Sequence, residues 1–182
     1  MTGAAPGKRA VFLDRDGVIN QAIVRDGKPY PPANLDELVI VAQAPVALER
    51  LKCAGFLLIV VTNQPDLARG KQDPAAIEVM HAALRQSLPL DDFFVCAHDD
   101  PDGCDCRKPR PGLLLRSAQK HNIDLPRSFM VGDRWRDVEA GAAAGCRTIW
   151  IDCGYREQRS SVEPSATVDS LGAAVDWILQ QP

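Results

Sequence analysis

A chain of 182 residues is the size of one domain and long enough to bury a core. Its 46% hydrophobic and 25% charged residues are those of a soluble globular protein, and a formal charge of -3 supplies no basic field for nucleic acid. The longest unbroken apolar run, Phe56 to Val61, is too short to cross a bilayer, and Met1 to Arg9 holds no apolar leader, so a cytoplasmic location away from membranes is expected.

In chain order, Ala10-Val11-Phe12-Leu13 is a continuous apolar run, as expected of a strand buried on both faces of a parallel sheet. It ends in Asp14-Arg15-Asp16-Gly17. Gln21 to Asn34 is rich in turn residues and reads as a loop. Pro45 to Ala54 predicts a helix, with proline in its first turn, Leu48 and Leu51 inward and Gly55 just past its end. A strand from Phe56 to Val61 follows and ends in Thr62-Asn63. Next come a helix from Asp73-Pro74 to about Ser87 and a strand from Phe93 to Cys96. Asp99 to Pro111 breaks the rhythm with a loop that carries cysteines and Arg107-Lys108-Pro109. Pro111 opens a helix ending near His121-Asn122, and the strand Phe129 to Val131 is closed by Gly132-Asp133. A helix from about Arg136 to Ala144 stops at Gly145, before a strand from Thr148 to Ile151 and a last helix over Ser170 to Gln180. Strands alternating with helices predict an α/β fold, a Rossmann-like parallel sheet with helices on both faces, in one domain over 1–182. His81 and His121 fall in helical patterns and read as surface residues.

Every strand end at one edge of such a sheet then delivers a polar group to the place where these folds bind ligands. Asp14 and Asp133 offer the hard oxygens that suit Mg²⁺. Asp14 can also attack phosphorus, splitting one difficult step into two easier ones. Asp16, two residues later at an Asp-Gly turn, can protonate a leaving alcohol and afterwards deprotonate water. Thr62 and Lys108 are placed to hold the non-bridging oxygens, where transition-state charge collects. Asp137, one helical turn beyond Asp133, can reach the metal directly or through water. Each fragment alone is equally a turn, a helix cap or a solvated lysine. What points to a site is that four fragments, each ending a separate strand, meet in one place. The expected partner is a small phosphorylated molecule, and the expected state is a monomer or small homo-oligomer.

Asp14-Arg15-Asp16-Gly17-Val18-Ile19-Asn20, Thr62-Asn63-Gln64, Cys106-Arg107-Lys108-Pro109 and Val131-Gly132-Asp133 with Asp137 resemble the four motifs of the haloacid dehalogenase (HAD) superfamily. Within it the chain is similar, from about Arg9 to Trp177, to the branch containing D-glycero-D-manno-heptose-1,7-bisphosphate 7-phosphatase and histidinol-phosphate phosphatase. The resemblance implies a HAD-like fold and Mg²⁺-dependent hydrolysis through an aspartyl phosphate. It puts the nucleophile at Asp14, the acid/base at Asp16 and the phosphoryl-stabilising groups at Thr62 and Lys108. The metal falls to Asp14, Asp133 and the Asp16 backbone carbonyl. Arg107 falls at a substrate-recognition position, with Asn63 and Arg134 as further substrate-binding candidates. No interval has room for the cap domain of larger members, so an open site rimmed by the two loops is expected. The proline-rich stretch Arg25 to Pro32 and the short cysteine loop depart from the heptose enzymes, whereas Gly17 to Asn20 and Ala68-Arg69-Gly70-Lys71 lean towards them. A sugar phosphate is the expected substrate, with histidinol phosphate as the alternative.

Of the six cysteines, Cys96, Cys104 and Cys106 share one short loop with His98. Three thiolates and one imidazole complete a tetrahedral Zn²⁺ site with no open position, which favours a structural role. Such a metal would order a loop that has no core of its own, and the resembled branch carries the same cluster as a zinc site. Cys53, Cys146 and Cys153 stand among apolar neighbours and read as small buried hydrophobes. Phosphoacceptor signalling domains also gather Asp, Thr and Lys at strand ends, but Asp16 beside the nucleophile favours turnover. A zinc-stabilised interaction module without turnover and a protein-directed phosphatase are the other readings.

Overall fold

β1 (Ala10–Leu13) occupies the middle of the sheet on which the molecule is built, and its side chains alternate between two cores. Val11 and Leu13 join one core, Ala10 and Phe12 the other, the period-2 geometry of a strand covered on both faces. β4 (Leu57–Asn63) repeats the division with Leu58 and Val60 against Ile59 and Val61. β6 (Phe129–Gly132) does so with Phe129 and Val131 against Met130. The computed structural model describes residues 7–182; up to residue 6, the segment read above as lacking a leader lies outside them.

With β5 (Asp92–Cys96), β7 (Arg147–Ile151) and β8 (Ala166–Val168), these strands form one parallel sheet in the order β5-β4-β1-β6-β7-β8. The chain leaves β1 towards β4 and β5, then returns to the other side of β1 as β6. The crevice at such a reversal is where open α/β sheets bind ligands. α1 (Ala44–Cys53) and α6 (Leu171–Leu179) cover one face; α4 (Gly112–His121) and α5 (Trp135–Ala144) cover the other. Between β4 and β5 run the short α2 (Pro65–Ala68) and α3 (Pro74–Ser87). α3 is capped by Asp73, whose side chain accepts from the Ala75 N–H, with Pro74 opening the first turn. No helix among the described residues is long and apolar enough to cross a membrane.

Three expectations need correction. The turn-rich segment after β1 is an antiparallel hairpin, β2 (Ile23–Arg25) with β3 (Lys28–Tyr30). Its two-residue turn, Asp26-Gly27, has φ of +52° and +75°, the left-handed pair that tight hairpins require. The missing hydrophobic alternation and Pro29 hid the strands. His81 is buried at 1% exposure, not a surface residue, and His121 is half-buried against Asp92. Of the three lone cysteines only Cys146 is buried; Cys53 and Cys153 are exposed. β8, three residues at the sheet edge, escaped notice because it has no apolar run.

Leu48 is fully buried in α1 within the first core. Leu48→Ala is expected to lower unfolding free energy by about 2–5 kcal/mol, read from the urea midpoint at unchanged m-value.

Candidate active site

Adjacent strand ends assemble the floor of a cleft of about 520 Å³, lined by Asp14, Asp16, Thr62, Asn63, Lys108 and Asp133 among others. Asp14 leaves β1 between β4 and β6, its N–H donating to the Val131 carbonyl at 3.0 Å. Thr62 and Asn63 end β4, Asp133 follows β6, and Asp137 rises from the first turn of α5. Lys108 arrives from the loop before α4, which Asn63 clamps: Asn63 Oδ1 accepts from the Lys108 N–H, and Asn63 Nδ2 donates to the Lys108 carbonyl, both at 3.0 Å. Asn63 thus acts on the loop backbone, a structural duty alongside its place in the cleft wall.

The Lys108 ammonium is 2% exposed and has three acceptors for its three hydrogens: Asp137 Oδ1 at 2.6 Å, Asp14 Oδ1 at 2.9 Å and the Val61 carbonyl at 2.8 Å. Burial works against its charge, yet Asp137 and Asp14 together hold its pKa above the ordinary lysine value. Asp14 is pushed up to about 6, first by burial and then by Asp137, with Lys108 partly offsetting both. Asp133 is raised well above the usual carboxylate range, chiefly by burial and then by Asp14 and Asp137. With all three buried carboxylates ionised, one ammonium would leave two negative charges, the charge of one divalent cation, and the raised pKa values of Asp14 and Asp133 reflect that deficit.

Their geometry fits such an ion. Oxygens of Asp14, Asp133 and Asp137 lie within 4.8 Å of one another. Both oxygens of Asp133 are buried without a hydrogen bond of ordinary length, the Tyr155 hydroxyl being the one neighbouring donor among the described residues, so a cation is the natural occupant of their remaining lone pairs. Asp137 differs: Oδ1 takes Lys108 and Oδ2 accepts from the Arg134 N–H at 3.0 Å. Two glycines allow this crowding. A Cβ on Gly17, which sits at φ +86°, would fall 1.9 Å from Asp133 Oδ2; a Cβ on Gly132 would fall 2.1 Å from Asp137 Cβ.

Asp16 is held by residues that the sequence reading did not single out. Asp16 Oδ1 accepts from Arg15 Nε at 3.0 Å and Asn20 Nδ2 at 2.9 Å; its Oδ2 accepts from Arg15 Nη2 at 2.9 Å and Gln64 Nε2 at 3.2 Å. Gln64 Nε2 also donates to Thr62 Oγ1 at 2.9 Å, tying two motifs together. The signal was present in polar residues set directly against buried strands, but nothing along the chain says which carboxylate they face. At the rim, Arg107 binds Asp100 at 2.7 Å and Arg69 binds Asp99 at 2.6 Å, while Arg134 forks onto Glu157. Arg107 and Arg134 both line the cleft, together with Arg69, Lys71 and Arg136.

Beside the cleft, Cys96, His98, Cys104 and Cys106 converge as one group. Their Sγ···Sγ separations of 3.2, 3.5 and 3.7 Å and Sγ···Nδ1 separations of 3.4 and 3.7 Å approach the edges of a tetrahedron about a zinc ion, roughly 3.5–3.8 Å for bonds of about 2.0–2.3 Å. Burial pushes the Cys96 thiol up to about 12. Burial also opposes ionisation of Cys104, but the Arg107 N–H and Cys106 thiol draw it down to about 7, so at least one thiolate is accessible near neutrality. Arg107 Nη1 reaches the His98 carbonyl at 3.4 Å, coupling this loop to the cleft.

The raised Asp14 pKa carries a sign. A carboxyl that titrates at about 6 folded and 3.8 unfolded binds more protons in the folded state, so its contribution to stability falls as pH rises through that window. His81, lowered to about 4, acts in the opposite direction and cancels only in a difference measurement. In Mg²⁺-free buffer, Asp14→Asn is expected to gain stability relative to the parent between about pH 4 and 6, by at most about 3 kcal/mol. Urea midpoints of the two proteins across that range supply the check, and a constant gap would count against the shift.

A family model described as HAD-hydrolase-like matches residues 105–174. D-glycero-beta-D-manno-heptose-1,7-bisphosphate 7-phosphatase of Pseudomonas aeruginosa is 36% identical, covering 93% of this chain and 97% of its own. The same-named protein of Escherichia coli K12 is 39% identical over 93% of this chain and 87% of its own. The crystal structure of a D,D-heptose 1,7-bisphosphate phosphatase from Bordetella bronchiseptica, complexed with magnesium and phosphate, superposes with a TM-score of 0.77 at 32% identity, over 96% of this chain and 99% of that one. Fold, site geometry and these relatives agree: the chain belongs to the haloacid dehalogenase superfamily, in its heptose-bisphosphate phosphatase branch, and is a phosphoric monoester hydrolase.

Proposed function

We propose that the chain removes the 7-phosphate of D-glycero-D-manno-heptose 1,7-bisphosphate in a Mg²⁺-dependent reaction through a phosphoryl group on Asp14. The observation that carries this reading is the buried cluster of Asp14, Asp133, Asp137 and Lys108 on the cleft floor, short of two positive charges. Asp14 and Asp133, with the Asp16 carbonyl, would hold the metal, which when bound neutralises the phosphoryl oxygens and the carboxylates around them. Asp137, both oxygens engaged, serves to hold Lys108. An Asp14 carboxylate oxygen attacks phosphorus; the bond from phosphorus to the sugar oxygen breaks, and Asp16, protonated and freed of one of its four donors, gives that oxygen its proton. Asp16 then takes a proton from water as it attacks the aspartyl phosphate, and cleavage of the Asp14–phosphorus bond frees inorganic phosphate. Lys108 would turn the hydrogen it gives Asp14 to a non-bridging oxygen of the phosphoryl group, and the Thr62 hydroxyl would donate to another. Rim cations Arg69, Lys71, Arg107, Arg134 and Arg136 support a substrate with a second anionic end, as do the names of the relatives. The cysteine-histidine group would hold Zn²⁺ and keep the Arg107-Lys108 loop in register.

Phosphate release is to be measured with Mg²⁺ against the heptose bisphosphate anomers, other sugar phosphates and histidinol phosphate. One heptose bisphosphate is expected to exceed the rest, with Asp14→Asn slower by about 10³-fold or more. Equal turnover by Asp14→Asn would sink the nucleophile, and preference for histidinol phosphate would replace the substrate. Cys96→Ser is expected to lower bound zinc, measured by elemental analysis, and to raise KM more than it lowers kcat. A protein that purifies without zinc in either form removes the zinc assignment.

A further inference from the structure

Arg15 is fully buried, an unusual place for a guanidinium, and it lies beside Asp16 rather than across the cleft from it. Burying an unpaired charge costs several kcal/mol, so its partners are decisive. Nε and Nη2 fork onto the two Asp16 oxygens at 3.0 and 2.9 Å. Nη1 lies 3.2 Å from Nε2 of His81, in the middle of α3. A guanidinium has donors only, so His81 Nε2 must accept and the ring proton must sit on Nδ1. His81 is itself 1% exposed and packs on Phe93 of β5, ring centroids 4.8 Å apart. Burial, then Arg15 and Arg85, hold its pKa near 4, which keeps the ring a neutral acceptor at physiological pH.

Asp16 thus has one charged anchor, and that anchor has one further side-chain partner. Asn20 and Gln64 contact the same two oxygens but add no charge. The guanidinium is planar, so a hydrogen bond at Nη1 fixes the plane in which Nε and Nη2 meet the carboxylate. Among the described residues no member of the metal cluster is bonded to His81; its hydrogen-bonded route to the reaction runs through Arg15, and Asp16 acts on it besides only as a nearby charge.

We propose that His81 is a positioning residue: through Arg15 it sets the orientation from which Asp16 delivers its proton to the leaving oxygen. This rests on the acid/base role given to Asp16 above.

Leaving groups separate positioning from simple structural support. An alkoxide needs the proton as it departs, whereas p-nitrophenolate does not, and kcat/KM reports the steps through that departure. The ratio of kcat/KM for a sugar phosphate to that for p-nitrophenyl phosphate, taken on one sample, does not depend on how much of it is folded. His81→Met, which fills a buried helical site without a strong acceptor, is expected to lower this ratio about 10-fold. His81→Gln, whose side-chain oxygen can accept from Arg15, is expected to restore most of it. Asp16→Asn should lower the ratio further. An unchanged ratio in His81→Met beside a lowered one in Asp16→Asn overturns the positioning role alone. An unchanged ratio in Asp16→Asn overturns the acid/base reading on which it rests.

Discussion

Lys108 carries one positive charge into a pocket walled by buried carboxylates, and all three of its hydrogens are engaged there, on Asp14, on Asp137 and on the Val61 carbonyl. The ammonium therefore joins three parts of the molecule: the end of β1, the start of α5 and the backbone of β4. Burial first, and then the neighbouring carboxylates, already raise the pKa values of Asp14 and Asp133, and without a cation of this kind that repulsion would be stronger still. One lysine is not enough to neutralise them. The remaining deficit is the physical basis for proposing a divalent ion there and, beyond it, a phosphoryl group.

Position on the sheet makes this crowding possible. β1 lies between β4 and β6, so the residue that ends it faces groups delivered by both neighbours. Asp14 and Asp133 leave adjacent strands, and glycines at 17 and 132 remove the side-chain atoms that would otherwise hold the carboxylates apart. Lys108 itself comes from farther away, on a loop with no core of its own. Asn63 pins that loop to β4 by two hydrogen bonds, and the cysteine-histidine group gathers the chain just before it. The rim arginines are braced by neighbouring aspartates and Glu157, so they present charge at low rotamer freedom.

A second layer governs Asp16. Its carboxylate receives four donors, and the one charged donor is buried against a neutral histidine from α3. The Asp16 carboxylate and the cluster around Lys108 are held by largely different side chains, joined where the Arg15 N–H donates to Asp14 Oδ1 at 2.8 Å.

Much of the molecule was legible along the chain because it depends on local pattern. Apolar runs at Ala10–Leu13 and Phe56–Val61 declared buried strands, and proline and glycine marked the ends of α1 and α3. Asp14, Thr62, Lys108 and Asp133, read from the chain as belonging to separate strand ends, do line one cleft. The hairpin over Ile23–Tyr30 was hidden because Pro29 and exposed polar residues erase the alternation of a strand, although Asp26-Gly27 named its turn. His81 was misjudged because a histidine on a helix has no pattern of its own. Only the packing of α3 against β5 decides whether it meets water or Arg15. The sequence by itself therefore determined which chemistry the chain could perform, since residue type and strand-end placement are local properties. The tertiary structure alone decided which carboxylates hold the lysine, which keeps both oxygens free of close partners among the described residues and which is braced by Arg15. Those roles depend on distances between segments far apart in the chain, and on the low dielectric that burial creates around them.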